Sequence, residues 1–128
     1  MNPPAANLPK RLLLSIIELG GYPDFKPIYR LAGYEVESAA SVRKALGLLK
    51  KLSPDVIVAE FNFQSDFRDR TSSLESLLAV VQRSPKTKVI VFYEKDHAHQ
   101  LTRLTNQYPI HATLAYPIDT RLLDASLR

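Results

Sequence analysis

Short apolar runs alternate with amphipathic segments along most of this chain. The runs predict five strands, at residues 11–17, 34–38, 55–61, 88–93 and 112–116. Those at 11–17, 55–61 and 88–93 are almost continuously apolar, as expected of strands that are buried on both faces. The run at 34–38 alternates between apolar and polar residues, which is typical of an outer strand.

The segments between these strands have helical periodicity and helix-capping residues. Ser41 precedes four apolar residues at the spacing i, i+3, i+4 and i+7, namely Val42, Ala45, Leu46 and Leu49. Further helices are predicted to begin near Asp24, Ser72, Asp96 and Thr120. The helix that begins near Asp24 is expected to contain Pro27 in its first turn and to stop at Gly33. The helix after Asp96 is expected to turn Leu101, Leu104, Thr105 and Tyr108 inward.

A strand followed by a helix, repeated five times, predicts an α/β fold. Connections that carry helices join parallel strands and cover both faces of the sheet, so we expect a five-stranded, doubly wound parallel sheet of (β/α)5 type. Functional sites in such sheets lie at the carboxyl ends of the strands. Residues 10–128 are expected to form this domain, and residues 1–9 are expected to be a disordered leader. The abrupt end at Arg128 indicates either a short last helix or a chain that continues in a longer protein.

Composition excludes several classes of protein. The 128 residues include no Cys, so disulfides and thiolate metal sites are excluded. No apolar run is long enough for a transmembrane helix, and a cytoplasmic protein is the default expectation. The net charge is +4, but Lys and Arg are dispersed and form no stripe with aromatic residues, so we do not expect this domain to bind nucleic acid directly.

Three stretches of sequence resemble the receiver (CheY-like) domains of bacterial two-component response regulators. They are AGYEVESAAS at 32–41, SPDVIVAEFNF at 53–63, and TKVIVFY at 87–93 together with ATLAYPID at 112–119. The resemblance covers about residues 10–127 and implies the CheY-like fold. It also implies a phosphorylation site made of two acids after strand 1, an Asp ending strand 3, a Thr or Ser ending strand 4, and a Lys before the Pro after strand 5. The two acids hold Mg²⁺, and Mg²⁺ and the Lys neutralise the negative charge of the phosphoryl group.

This sequence departs from the family at each of those positions. Ile16 and Ile17 stand at the acid pair, and a shift of register by one residue adds only Glu18. Glu60 stands at the phosphoacceptor position, Tyr93 at the Thr or Ser, and Tyr116 at the Lys before Pro117. We therefore expect a degenerate pseudo-receiver that is not phosphorylated, is not an enzyme, and holds no metal or cofactor.

The replaced residues have more than one interpretation. Glu60 could imitate a phosphorylated Asp, but that role usually needs the missing Lys, so we expect a partly exposed carboxylate at a strand end. Tyr93 and Tyr116 are expected to fill the former pocket, and the alternative is that they line an open ligand site. His97, His99 and His111 do not predict a metal site, because residues two apart on a helix point in different directions.

The predicted function is therefore regulatory and based on protein contacts. Receiver domains commonly interact through helix 4, strand 5 and helix 5, a face that would here contain Leu101, Leu104, Tyr108, Thr113, Ala115 and Leu122. The partner would be another protein, an output domain of the same chain, or a second copy. The alternative is a domain that senses a small molecule or nucleotide in the altered pocket. A flavodoxin-like enzyme is a weaker hypothesis, because the sequence contains no recognisable set of catalytic residues.

Overall fold

A computed structural model describes residues 11–18, 22–61 and 74–128. The strands are β1 (Arg11–Ile16), β2 (Tyr34–Ala39), β3 (Val56–Glu60), β4 (Lys88–Tyr93) and β5 (Ala112–Ala115). The helices are α1 (Lys26–Leu31), α2 (Val42–Leu48), α3 (Leu74–Val81), α4 (Ala98–Gln107) and α5 (Thr120–Ser126), and a 3-10 turn (Lys95–His97) precedes α4. None of the described helices is both long and apolar enough to cross a membrane.

All five strands are parallel and lie in the order β2-β1-β3-β4-β5. The doubly wound architecture predicted from the sequence is therefore confirmed. The chain moves outward from β1 to β2 and then returns past β1 to β3. The carboxyl ends of β1 and β3 consequently flank the point where the winding reverses, which is where open α/β sheets form their sites.

Each face of the sheet buries its own apolar cluster. The face covered by α1 and α5 contains Leu13, Val58, Phe92 and Leu123. The face covered by α2, α3 and α4 contains Leu14, Ile57, Val91, Leu77 and Leu104. The predicted burial of Ile57, Val58 and Val91 is confirmed, since none of the three is exposed at all. Successive strand residues alternate between the two clusters, as a pleated strand requires.

The capping residues explain where two of the helices begin and end. The Ser41 hydroxyl accepts a hydrogen bond from Lys44 N at 3.0 Å and caps α2 as predicted. Asp24 Oδ1 accepts from Lys26 N at 3.0 Å, so α1 begins two residues after Asp24, with Pro27 in its first turn. Gly33 ends the helix with a φ of 95°, a conformation that a side chain would strain.

Two local predictions are corrected, and three others fall outside the described residues. Asp96 does not cap α4, because it lies within the 3-10 turn and α4 begins after His97. Thr105 is exposed, with its hydroxyl bonded to Thr102 O at 3.1 Å on the helix surface. Tyr108 follows the end of α4 and packs inward against the core, as predicted. The leader at 1–9, the loop at 64–71 and the cap at Ser72 lie outside the described residues.

Candidate functional site

A buried carboxylate lies at the carboxyl end of the central strand. Glu60 ends β3 and is only 7% exposed. Its Oε1 atom accepts a hydrogen bond from Glu18 N at 2.6 Å, directly beyond β1. The expectation of a partly exposed carboxylate is therefore wrong. The side chain turns inward because the amide of Glu18 needs an acceptor where strand pairing stops.

The position of the family's acid pair is occupied by a different arrangement. Ile16 is buried in the cluster under α2–α4, and Ile17 is half-buried on the opposite face. Glu18 provides the one carboxylate here, and its Oε2 atom accepts from Val42 N at 3.4 Å, at the start of α2. Within the described ranges no group of three or more His, Asp or Glu side chains could hold a metal ion. The residues at this position therefore do not fit Mg²⁺, which prefers several oxygen ligands in octahedral geometry.

The structure separates the two tyrosines that the sequence grouped in one pocket. Tyr93 is half-buried and packs against the cluster under α2–α4. Glu60 pairs in register with Phe92, so these two side chains share the opposite face, under α1 and α5. Tyr116 is 39% exposed, and the peptide bond between it and Pro117 is cis. Tyr116 therefore lies at the rim, and Tyr93 lies on the other side of the sheet from Glu60.

Tyr22 is the aromatic ring that the sequence analysis missed. Its centroid lies 5.2 Å from that of Phe92 and 5.5 Å from that of Tyr116, in an edge-on contact with Tyr116. Burial raises the pKa of Tyr22 to about 12, and the negative charges of Glu60 and Glu94 contribute in the same direction. The Tyr22 hydroxyl therefore stays protonated near Glu60. Tyr22 lies in the connection after β1, which leaves the sheet at its carboxyl edge. This position was the sequence feature that could have placed Tyr22 at the site.

The predicted interaction face is only partly available at the surface. Leu101 and Leu104 are 3% and 0% exposed, so they cannot contact a partner. They are buried because the apolar stripe of α4 packs onto the sheet. Tyr108 is half-buried and donates a hydrogen bond to Glu75 Oε2 at 3.4 Å. The remaining predicted residues are Thr113, which is exposed, Ala115, which is half-buried, and Leu122, which is 56% exposed.

Comparison with known proteins identifies the fold. No protein-family model matches the sequence, and no curated protein matches it. Solved structures of response regulator receiver domains do match. The chain has the receiver-domain fold. A receiver domain from Clostridium thermocellum has a TM-score of 0.72 and 16% identity, covering 91% of this chain and 90% of that one.

Two further structures agree. The chemotaxis response regulator CheY4 of Vibrio cholerae has a TM-score of 0.70 at 19% identity, covering 93% of this chain and 97% of that one. The signal receiver domain of an HD domain-containing protein from Pseudomonas fluorescens has a TM-score of 0.67 at 19% identity, covering 94% and 93%. At such low sequence identity these similarities establish the fold only, and the function has to be inferred from the residues at the site.

Proposed function

We propose that this chain is a cytoplasmic, receiver-like regulatory domain that acts in signal transduction without being phosphorylated. It works through contact with another protein, with an output domain of its own chain, or with a second copy of itself. The observation that carries this proposal is the buried carboxylate of Glu60, which already accepts the backbone amide of Glu18 at 2.6 Å.

This geometry is unfavourable for phosphoryl transfer. A carboxylate that attacks a phosphoryl donor must be accessible, and Glu60 is only 7% exposed. The transferred group carries dense negative charge, which cations must neutralise. Tyr116 contributes a neutral ring at the position of the family's Lys, and Ile16 and Ile17 contribute no oxygen ligand for Mg²⁺.

We expect no stable phosphorylation of the wild-type domain. The test is incubation with acetyl phosphate and Mg²⁺ followed at once by intact-mass measurement, with a phosphorylatable receiver domain as positive control. Because acyl phosphates hydrolyse, ¹⁹F NMR with beryllofluoride, a tetrahedral phosphoryl analogue, provides a second readout. A gain of one phosphoryl group that disappears in Glu60→Gln would contradict the proposal.

The surface formed by α4, β5 and α5 is the proposed contact face. Leu122 supports this choice, because it is a large apolar side chain that is 56% exposed on α5. Its neighbour Leu123 is fully buried and anchors the helix to the sheet. The structural neighbour from Pseudomonas fluorescens is the receiver domain of a protein that also contains an HD domain, which supports pairing with an output domain.

We expect Leu122→Asp to disrupt self-association through this face, raising the dimer dissociation constant by about tenfold or more, because it places a charge in an apolar contact. Sedimentation velocity across a range of concentrations measures the effect. Val80→Asp is the matched control, since Val80 is an apolar residue, 43% exposed, on α3, which covers the face of the sheet opposite to α5 and Leu122. A wild-type domain that stays monomeric at all concentrations, or equal effects of both substitutions, would remove the dimer from the proposal.

A further inference from the structure

A groove opens beside β1 and β2 because α1 is short. Strand β1 ends at Ile16, but α1 begins only at Lys26 and has six residues. Ser15 and Ser38 are register partners on neighbouring strands, and both border this groove. Among the described residues the groove has a volume of about 840 Å³. Ligand sites commonly have volumes of about 300–1,000 Å³.

Three lysines surround the groove. Lys26 lies on α1, Lys44 lies on α2, and Lys51 lies just after α2. All three side chains are exposed, and none forms an ion pair within the described ranges. Asp24 is the one acid among the described residues of the lining, and its Oδ1 atom accepts from Lys26 N. Three unpaired ammonium groups at one groove favour a ligand with several negative charges, such as a chain of phosphates.

The walls of the groove are suited to a flat apolar ring. Ile17, Tyr22 and Leu48 provide apolar and aromatic surface, and the hydroxyls of Ser15 and Ser38 provide hydrogen-bonding groups. We infer that this groove binds a nucleotide, with its phosphates toward the lysines and its base against the apolar wall. This site differs from the altered pocket at Glu60, Tyr93 and Tyr116 that the sequence suggested for a sensor.

Tyr22 connects the groove to the rest of the carboxyl edge. Its ring lines the groove and also packs edge-on against Tyr116 at 5.5 Å. A base that contacts Tyr22 therefore contacts a ring that packs against Tyr116, the residue directly after β5. A change in the position of Tyr22 on ligand binding would in this way be transmitted to β5, the strand that precedes α5 and its exposed Leu122.

The test is NMR titration of the ¹⁵N-labelled chain with ATP, GTP, adenosine and tripolyphosphate. We expect saturable shifts with ATP or GTP at the amides of Ser15, Ile17, Ser38 and Ala40. We expect adenosine and tripolyphosphate each to bind about tenfold more weakly or worse, since each lacks one half of the ligand. Equal binding of tripolyphosphate would show simple charge attraction and would overturn the inference. So would the absence of saturable shifts with both nucleotides, or shifts centred on Glu60 and Tyr116.

Two charge variants on the same segment distinguish binding in the groove from nonspecific electrostatic attraction to the basic surface. Lys44→Glu/Lys51→Glu should weaken nucleotide binding by about tenfold or more. Arg43→Glu/Lys50→Glu changes the net charge equally at exposed neighbours outside the lining, and it should have little effect. Equal losses in the two variants would overturn the inference.

A steric variant tests the same site without changing charge. Gly47 lines the groove on α2, and a Cβ atom there would meet nothing within 4 Å. Gly47→Phe should therefore fill the groove and abolish nucleotide binding, while the melting temperature is unchanged or higher. Unchanged nucleotide affinity in a folded Gly47→Phe domain would overturn the inference.

Discussion

Replacing Val91 by Asp should abolish cooperative folding of this domain. Val91 is fully buried in β4 and packs in the cluster under α2–α4. An unpaired carboxylate at such a position loses its hydration, and the cost of several kcal/mol is a large part of the ~5–15 kcal/mol that stabilises a typical domain. Circular dichroism during thermal or urea denaturation, together with the ¹H–¹⁵N NMR spectrum, measures the outcome.

Val80→Asp provides the control for this experiment. Val80 is 43% exposed on α3, so a carboxylate there stays hydrated, and we expect a change in the free energy of unfolding of about 0.5 kcal/mol or less. A Val91→Asp domain that stays soluble and unfolds cooperatively near the wild-type midpoint would show that β4 is wrongly assigned.

Truncating Tyr22 to Ala should lower the free energy of unfolding by about 2 kcal/mol, more than the same change at Tyr116. The Tyr22 ring contacts two other rings, those of Phe92 and Tyr116, whereas Tyr116 is 39% exposed. Tyr116→Ala should therefore cost about 1 kcal/mol or less, because much of its surface is already in water. This order differs from the sequence-based view, in which Tyr116 filled the pocket.

Urea denaturation of the two Ala variants measures the difference directly. Tyr22→Phe is the matched control, because it keeps the ring and removes only the hydroxyl, and it should remain within about 1 kcal/mol of wild type. A larger loss from Tyr116→Ala than from Tyr22→Ala would contradict the central position of Tyr22 in the aromatic cluster.

The arrangement of side chains at the candidate site depends on the register between strands, which local sequence patterns do not predict. Alternation within β4 places Tyr93 on the opposite face from Phe92, and this much is readable from consecutive residues. Which of those faces contains Glu60 depends on the register of β3 against β4, where Glu60 pairs with Phe92. That register joins residues more than 30 positions apart, so no local pattern reports it.

The interaction face and the groove illustrate the same limit. The periodicity of α4 predicted an apolar stripe at Leu101 and Leu104, and burial of both residues agrees with that stripe but removes them from any contact surface. The start near Asp24 and the stop at Gly33 already indicated a short α1, which is observed at Lys26–Leu31. The space beside this helix could not be predicted, because it also depends on elements that are distant along the chain. The groove exists because β1, β2, α1 and α2 meet around the space that this short helix leaves.

The amino-acid sequence alone was enough to predict the order of strands and helices and the doubly wound sheet. It also showed that the positions matched to the phosphorylation site of receiver domains hold other residue types. These properties follow from local periodicity, from turn and capping residues, and from residue types at single positions. Three other features follow from tertiary contacts. The Glu60 carboxylate is buried against the amide of Glu18, the Tyr22 ring packs against Phe92 and Tyr116, and Tyr93 lies on the other face of the sheet. Each of these features depends on which distant strands become neighbours. A local pattern predicts the direction of a side chain, but only the strand pairing fixes which atoms that side chain contacts.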